Sequence, residues 1–418
     1  LSDLEPGHPS LQGCRWLQRG WTLQELIAPA DVRFFDKEWN LRGDKINLSS
    51  QLALLTQVSV QVLTGFVSLE EVPVAVRMSW AATRNTTREE DRAYSLLGIF
   101  QVNMPMVYGE GNKAFIRLQE EIMKDCADMS IFAWTQGRTP GLDCEYSGLL
   151  ATSPADFRDS ASLEVAQDTI FDIRDFSMTN RGLRFQVPLT IEPSTGCHIL
   201  PINHGSSTSS TEIQPLGVYL RQVGPDLFVR ALPNVLAAVQ HRGPVRSLQI
   251  TKALSAKDSM YVREHVLTFF RPESLQHEAF GLSEIEPTGC WDPSRKMLFA
   301  GHTGVFLGYL RFEPAWADEF DSFVLICRFD RTINPPWRLQ LVCGDDWRDD
   351  QPRYQDIYGY HHKAFQQHSL LVPSLTLQHL YDESRAKQVT VSLVLKGLSE
   401  LGHYSVSIEV EDVKSIGG

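Results

Sequence analysis

The chain has 418 residues, of which 43% are hydrophobic and 22% are charged, and its formal net charge is -12. This composition is typical of a folded protein and excludes a disordered or fibrous one, and the length predicts about two or three domains. The acidic balance and the lack of any Lys/Arg-rich run argue against a nucleic-acid-binding surface.

The cysteines predict the compartment. There are 7, scattered without a CxxC pair or a Cys/His spacing suited to zinc, so we predict reduced thiols, a cytoplasmic protein and no metal site. No apolar run approaches the ~20 residues that span a bilayer, and the first residues carry no signal-peptide core. Because the chain opens with Leu1 rather than Met, we expect a coding frame that begins further upstream.

The first predicted helix lies in the stretch RGWTLQELIAP, residues 19–29. Thr22 and Glu25 have the T-x-x-E spacing of a capping box, and Pro29 ends the helix. A second reading of Glu25 stays open beside this one, in which its carboxylate takes part in a reaction. Residues 32–36, VRFFD, are predicted to form a short strand.

Helical spacing continues over residues 49–63 and 74–82. The stretch TTREEDRAYSLLGIF, residues 86–100, places apolar side chains on one face and begins with a Thr87/Glu90 capping box, so we predict one helix there. Residues 112–124 predict a last helix with Arg117/Glu121 and Glu120/Lys124 as i,i+4 ion pairs. The first part of the chain is therefore expected to be mostly helical.

Before that last helix, Gly109-x-Gly111-x-x-Ala114 has the glycine spacing of a dinucleotide phosphate loop. The preceding NMPMVY contains a proline and is not a clear strand. A tight helix-entry turn that needs glycine for positive φ is the favoured reading.

From about residue 148 the pattern changes to short β-type runs separated by Gly, Pro, Asn and Asp clusters. These runs are GLRFQVPL, GVYLRQV, LFVRAL, HVLTFF, GVFLGYLRF, SFVLICRF, RLQLVCG, VTVSLVL and YSVSIEV. They predict an antiparallel β-rich domain, a sandwich or a barrel. Residues 194–212 and 344–356 are predicted polar loops, and neither the acidic loop nor the cluster His361, His362 and His368 has the spacing of a metal site.

Two long blocks, CRWLQRGWTLQELIAPADVRFFDKEWN and MSWAATRNTTREEDRAYSLLGIFQVNMPMVYGEGNKAFIRLQEEIMK, resemble the fungal heterokaryon-incompatibility (HET) domain family. The resemblance covers residues 1–134, with 135–147 as a linker and 148–418 as a β-rich domain. The family's N-terminal strands would lie before Leu1. Proteins of this family act in non-self recognition between fused fungal cells and trigger programmed cell death.

The resemblance also implies a chemistry, because the family is thought to be distantly related to TIR domains, some of which hydrolyse NAD. Trp21-Thr-Leu-Gln-Glu25-Leu26 is similar to the TIR pattern W-C-x-x-E-L. By this carry-over Glu25 would stabilise the oxocarbenium ion formed when an N-glycosidic bond breaks. Trp21 would stack on a ring of the nucleotide, and Arg19 would meet a phosphate. NAD would then be a substrate, and no cofactor is implied.

Further positions of the resemblance imply structural roles in the motif. They are Gly20, Thr22, Asp91, Tyr94, Gly98, Tyr108, Gly109 and Gly111.

The resulting fold class is α+β: a partial α/β, TIR-like and mostly helical region, followed by an antiparallel β-rich sandwich or barrel. Two functions are carried forward. The first is a death-inducing incompatibility effector with NAD-consuming activity centred on Glu25. The second is a non-enzymatic module in which the HET region self-associates and the β-rich domain binds a protein partner, with Glu25 as a cap.

Overall fold

The computed structural model describes two compact units of the chain. The first comprises Leu1–Arg221 and Phe228–Ser259, and the second comprises Gln222–Leu227 and Met260–Gly418. The described residues are 11, 13–137, 145–165, 176–192, 194–207, 213–240, 243–255, 258–259, 262, 266–270, 280–292, 297–300, 305–314, 322–330, 337–343, 374–382, 387–396 and 404–413. The linker predicted at 135–147 falls inside the first unit. The predicted division of the sequence into a HET-like region and a β-rich domain at this linker stays a prediction.

The first unit begins with a series of short helices. They are α1 (Thr22–Ile27), α2 (Ser49–Thr56), α3 (Val60–Leu63), α4 (Val74–Ser79), α5 (Asp91–Tyr94), α6 (Leu97–Phe100) and α7 (Lys113–Asp125), with 3-10 turns at Arg15–Gln18, Leu69–Glu71, Met129–Phe132 and Pro154–Ser160. Helices are thus found in each predicted region. The expectation of a mostly helical region is wrong, however, because α-helix covers less than half of residues 11–137. Left-handed residues, Gln57 and Gln101, follow α2 and α6 and end those helices early.

The prediction of a single helix over residues 86–100 is also wrong, because this stretch forms two short helices, α5 and α6, with a break between them. At the break, the Nε2 of Gln24 donates a hydrogen bond of 2.6 Å to the carbonyl of Ser95. A side chain that inserts into a helix at a backbone carbonyl is a usual cause of a kink or break. The partner lies far away in sequence, so the local pattern could not indicate it.

Two strands, β1 (Arg33–Phe35) and β2 (Leu41–Asp44), pair antiparallel in this region. The predicted strand at residues 32–36 is confirmed. Residues 11–137 thus contain a hairpin where a TIR-like fold would have a parallel sheet, and the TIR-like part of the expected fold class finds no support. The coarser class, α+β, is confirmed.

A ten-stranded sheet follows in the chain, with the order β4-β8-β9-β10-β12-β6-β5 and with β11, β3 and β7 paired to β9, β10 and β8. Its strands are β3 (Tyr146–Ser147), β4 (Leu163–Val165), β5 (Phe176–Thr179), β6 (Gly182–Pro188), β7 (Thr190–Ile191), β8 (His198–Ser207), β9 (Ile213–Gln222), β10 (Leu227–Ala231), β11 (Ala237–Ala238) and β12 (Val245–Ile250). Strand β8 occupies most of the loop predicted at 194–212, because Ile199, Leu200 and Ile202 are buried and β8 pairs with β9.

One hydrophobic core joins the helices to this sheet. It runs without interruption from Leu23 of α1 and Leu118 of α7 to Phe185 of β6. The buried Arg230 of β10 stacks on the ring of Trp134, with 3.6 Å from its guanidinium carbon to the ring centre. Arg230 also donates hydrogen bonds to the carbonyls of Phe132, at 2.9 Å, and of Trp134. The helical segment and the sheet therefore form one unit.

The second unit contains two sheets, one of six strands in the order β15-β16-β13-β22-β21-β20 and one of four in the order β14-β17-β18-β19. Their strands are β13 (Val266–Phe270), β14 (Phe280–Glu286), β15 (Trp291–Asp292), β16 (Met297–Phe299), β17 (Val305–Pro314), β18 (Phe323–Asp330), β19 (Trp337–Cys343), β20 (Ser374–Asp382), β21 (Lys387–Lys396) and β22 (Tyr404–Val413). Each β-type run of the sequence forms a strand. The pairing is mixed rather than purely antiparallel, because β13 and β22 run parallel.

Candidate functional site

Glu25 lies on the exposed side of α1, and its Oε2 accepts a hydrogen bond of 3.2 Å from the Nε1 of Trp16. The predicted capping box does not form. Thr22 is the first residue of α1, and its single hydroxyl proton lies between the carbonyls of Arg19, at 2.8 Å, and of Trp16. A capping hydroxyl accepts a hydrogen bond from the backbone N–H two or three residues later, and it belongs to the N-cap residue. Here the N-cap is Trp21, whose backbone is already helical, so Thr22 does not cap the helix.

Arg19 and Trp21 are also exposed. The backbone of this segment is held by Asn85, whose N–H donates to the carbonyl of Gln18 at 2.7 Å and whose carbonyl accepts from Gly20 at 3.0 Å. The structure thus leaves the side chains of Arg19, Trp21 and Glu25 exposed on one segment. None of the three lines either of the two clefts described next.

The first cleft, the aromatic cleft, has a volume of about 280 Å³ and is lined by Trp16, Trp39 and residues 32–36. Trp16 meets the ring of Phe34 edge-on, with 6.0 Å between the ring centres, and Trp39 is 81% exposed. Since Trp16 bonds to Glu25, the carboxylate of Glu25 is held next to a residue of this cleft. An aromatic cleft beside a carboxylate is able to stack a planar ring.

The second cleft, the arginine cavity, has a volume of about 250 Å³ and includes Gly20 of the RGWT segment in its wall. Gly20, Ser95, residues 81–86 and residues 153–155 line it together with Arg92 and Arg158. Arg84 connects it to the RGWT sequence, because its Nη1 donates to the carbonyl of Arg19 at 2.9 Å and to the hydroxyl of Thr22 at 3.1 Å.

The glycines of the motif make room for neighbours. A Cβ on Gly20 would lie 2.5 Å from the Cγ2 of Thr86, and a Cβ on Gly98 would lie 2.8 Å from the Oε1 of Gln24. Gly20 therefore allows the segment to approach residues 85–86, and Gly98 allows Gln24 to reach Ser95.

Gly109 and Gly111 form the turn before α7, with φ of 101° and 58°. Their N–H groups both donate to Oε1 of Glu90, at 2.7 and 3.1 Å. The N–H of Glu90 itself and these two N–H groups lower the pKa of the Glu90 carboxyl. The favoured reading, a turn that needs positive φ, is confirmed, and the donors that a phosphate loop would offer are taken by a carboxylate of the protein.

Tyr94 and Tyr108 meet edge-on beside this turn, with 5.5 Å between their ring centres. The Tyr94 hydroxyl accepts from the N–H of Val107 at 2.7 Å and lies 2.9 Å from Oε1 of Glu110. The Tyr108 hydroxyl donates to Asp91 at 3.0 Å. These motif residues come together in one network that fixes the turn to α5.

The ion pairs predicted along α7 have other partners. Arg117 pairs with Glu110, Lys124 pairs with Glu121, and Glu120 accepts from Lys252 of the sheet region. The reason is that Glu110 and Lys252 are brought to α7 by the fold, and a partly buried pair is stronger than an exposed one along the helix.

Several residues of these clefts had no signal in the sequence. Trp16, Arg84, Arg92 and Arg158 lie in different segments, so only the fold brings them to Glu25 or to each other. The predicted Thr87/Glu90 capping box is wrong, because Glu90 itself is the N-cap of α5 and its carboxylate accepts from Gly109 and Gly111 instead.

Among the residues that the structure describes, no three His, Cys, Asp or Glu side chains are grouped to hold a metal ion. Within the same residues, no helix has both the length and the apolar surface needed to cross a bilayer. The loop 344–356 and the cluster His361, His362 and His368 lie outside the described residues.

Comparisons with known proteins relate parts of this chain to others. A family described only as a domain of unknown function, DUF8212, matches residues 113–147. The vegetative incompatibility protein HET-E-1 of Podospora anserina is 49% identical over 124 residues, which are 28% of this chain and 9% of that protein. The chain thus shares homology with an incompatibility protein but spans less than a tenth of its length. No solved structure matches.

Proposed function

We propose that this chain acts in fungal vegetative incompatibility, the recognition of non-self between fused cells that ends in cell death, and that it acts in the cytoplasm through protein contact. The observation that carries the proposal is the 49% identity over 124 residues with a vegetative incompatibility protein. Free thiols support the compartment: Cys14, Cys126, Cys197, Cys290 and Cys327 form no disulfide.

Contact rather than catalysis is favoured by the packing of the RGWTLQEL segment. Gly20 and Gln24 hold the segment against residues 85–98, while Leu23 and Leu26 are fully buried in the core. The packing of these four residues accounts for the motif by a structural role, without a role in catalysis. The partner in this proposal is another protein or a second copy of the HET region.

NAD hydrolysis centred on Glu25 is the second candidate, and one observation favours it. The Glu25 carboxylate is exposed and is held by Trp16, which lines the aromatic cleft. A ring stacked in that cleft would bring an N-glycosidic bond towards a carboxylate able to stabilise an oxocarbenium ion. Arg19 and Trp21 would bind the rest of the dinucleotide.

The experiment that separates the candidates is expression of the full chain and of its Glu25→Gln variant in a fungal host, with cell viability and NAD measured together. Gln keeps an acceptor for the Trp16 indole and removes the charge. Contact-based signalling predicts the same loss of viability for both proteins and no early fall in NAD. Glu38→Gln, another exposed glutamate of the same unit, is the matched control.

If Glu25→Gln alone spares the cells and keeps NAD high while folding normally, NAD hydrolysis replaces contact as the mechanism. If the unaltered chain has no effect on viability in any compatible or incompatible background, the incompatibility role itself is refuted.

A further inference from the structure

The arginine cavity carries an unbalanced positive charge. Arg84, Arg92 and Arg158 line it, and no Asp or Glu is among the described residues of its wall. Like charges in the wall of one cavity repel one another, and a bound anion reduces this repulsion. We infer that this cavity binds the phosphate group of a small phosphorylated molecule.

Arg84 supplies a partly buried charge in the wall of the site. Its Nε donates to the carbonyl of Trp80 at 3.1 Å and its Nη1 to the carbonyl of Arg19 at 2.9 Å, while its buried Nη2 has no hydrogen-bond partner. These partners are neutral, and no carboxylate among the described residues forms a salt bridge with Arg84. Burial lowers the pKa of Arg84 to about 10, so the group stays charged at neutral pH. A partly buried cation whose hydrogen-bond partners are all neutral is stabilised when an anion binds beside it.

Arg92 and Arg158 supply the accessible charges. The side chain of Arg92 is 45% exposed, and its nearest carboxylate, that of Glu89, is 3.9 Å away, at the outer limit of an ion pair. Arg158 is exposed on the turn Pro154–Ser160 and makes no side-chain hydrogen bond or ion pair with the described residues. Both guanidinium groups are therefore available to an incoming phosphate, which they bind with two parallel hydrogen bonds each.

The size of the cavity and the charge of the chain limit the ligand. At about 250 Å³ the cavity is smaller than the roughly 300–1,000 Å³ typical of pockets for drug-sized ligands. The net charge of -12 disfavours a polyanion such as a nucleic acid. A phosphate on a compact group of the size of a sugar fits both limits, with the hydroxyls of Ser95 and Ser153 in the wall as hydrogen-bonding groups. This site does not depend on the role proposed above.

The test is calorimetric titration of the full chain with inorganic phosphate, ribose 5-phosphate and ribose at one ionic strength. We expect both phosphate compounds to bind and ribose to fail. Arg158→Gln and Arg92→Gln should each weaken phosphate binding at least about fivefold, since each removes a charge-assisted contact. Arg181→Gln, which removes an exposed arginine of the turn between β5 and β6, is the matched control and should leave binding within about twofold.

Arg84 is left unaltered in this test because it also holds the carbonyls of Trp80 and Arg19. Tighter binding of ribose 5-phosphate identifies a phosphate ester as the ligand, and equal binding identifies free phosphate; both support the site. The inference is overturned if neither phosphate compound binds, or if Arg158→Gln and Arg92→Gln bind as well as Arg181→Gln does.

Discussion

At the scale of single residues, Tyr94 connects α5 to the turn before α7. Its ring is fully buried, and its hydroxyl accepts from the N–H of Val107 while it can donate to Glu110 or to the carbonyl of Val107. A phenylalanine would keep the ring and leave these groups without their partner. The Tyr94 hydroxyl is therefore expected to stabilise the fold by holding the turn against α5.

Tyr94→Phe is expected to lower the free energy of unfolding by about 0.5–1.5 kcal/mol, the usual net contribution of an intramolecular hydrogen bond. Tyr108→Phe is the control, because Tyr108 is 47% exposed and water can replace its bond to Asp91. We expect that change to cost less than about 0.5 kcal/mol. Urea denaturation of both variants checks the difference, and equal losses would show that the Tyr94 hydroxyl is not the anchor of the turn.

At the scale of elements, the contact between the RGWT segment and residues 85–86 depends on Gly20. Gly20→Ala is expected to destabilise the protein by about 1–3 kcal/mol, because its Cβ would overlap the branched and therefore stiff side chain of Thr86. Thr86→Ser removes the methyl group and keeps the hydroxyl that donates to Arg88. The double variant should recover part of the loss in a denaturation cycle. Purely additive losses would mean that the two residues do not touch.

The sequence predicted elements well where one local pattern decides them. Helix α7 buries Phe115, Leu118 and Ile122 at helical spacing, and the alternating runs of the second half all form strands. It failed where a distant partner decides. The break between α5 and α6 depends on Gln24, and the arginine cavity depends on Arg158, which lies far along the chain from Arg84. No propensity or spacing rule contains that information.

The same contrast holds for the candidate site. The motif residues Tyr94, Tyr108 and Gly109 could be named from a family resemblance, but their shared hydrogen-bond network required the fold. The capping box of Thr22 and Glu25 had the correct spacing. It failed because the Thr22 hydroxyl has carbonyl partners at Trp16, in the preceding 3-10 turn Arg15–Gln18, and at Arg19, which follows that turn.

At the scale of the whole molecule, the hydrophobic core of the first unit extends across residue 134, where the sequence predicted the end of the first domain. Phe132 packs edge-on against Phe176 and Phe185 of the sheet, with ring centres 5.7 and 5.8 Å apart. The side chain of Gln119 exchanges two hydrogen bonds with the backbone of Ala151. Cutting the chain at residue 134 would expose this apolar surface and leave a buried amide unpaired.

A fragment of residues 1–134 is therefore expected to lack a cooperative unfolding transition and to aggregate, because the loss of several buried aromatic contacts exceeds the marginal stability of a domain. A fragment of residues 1–259, which keeps the ten-stranded sheet, is the matched comparison and should melt cooperatively. Circular dichroism on heating and dispersion of amide NMR signals check this. A sharp transition in the shorter fragment would show that residues 1–134 fold alone.

The turn at Gly109 and Gly111 has a consequence for how this protein meets anions. Glu90 is tethered a few ångströms from the two N–H groups, so its effective concentration there is far above that of any dissolved metabolite. A free phosphate competes with an intramolecular group at a large disadvantage. The two N–H groups of this turn are therefore occupied by Glu90. The glycine spacing that resembles a nucleotide loop binds a carboxylate of the chain itself. An anion from solution is therefore expected to bind in the arginine cavity, where Arg84 and Arg158 form no ion pair with the described residues.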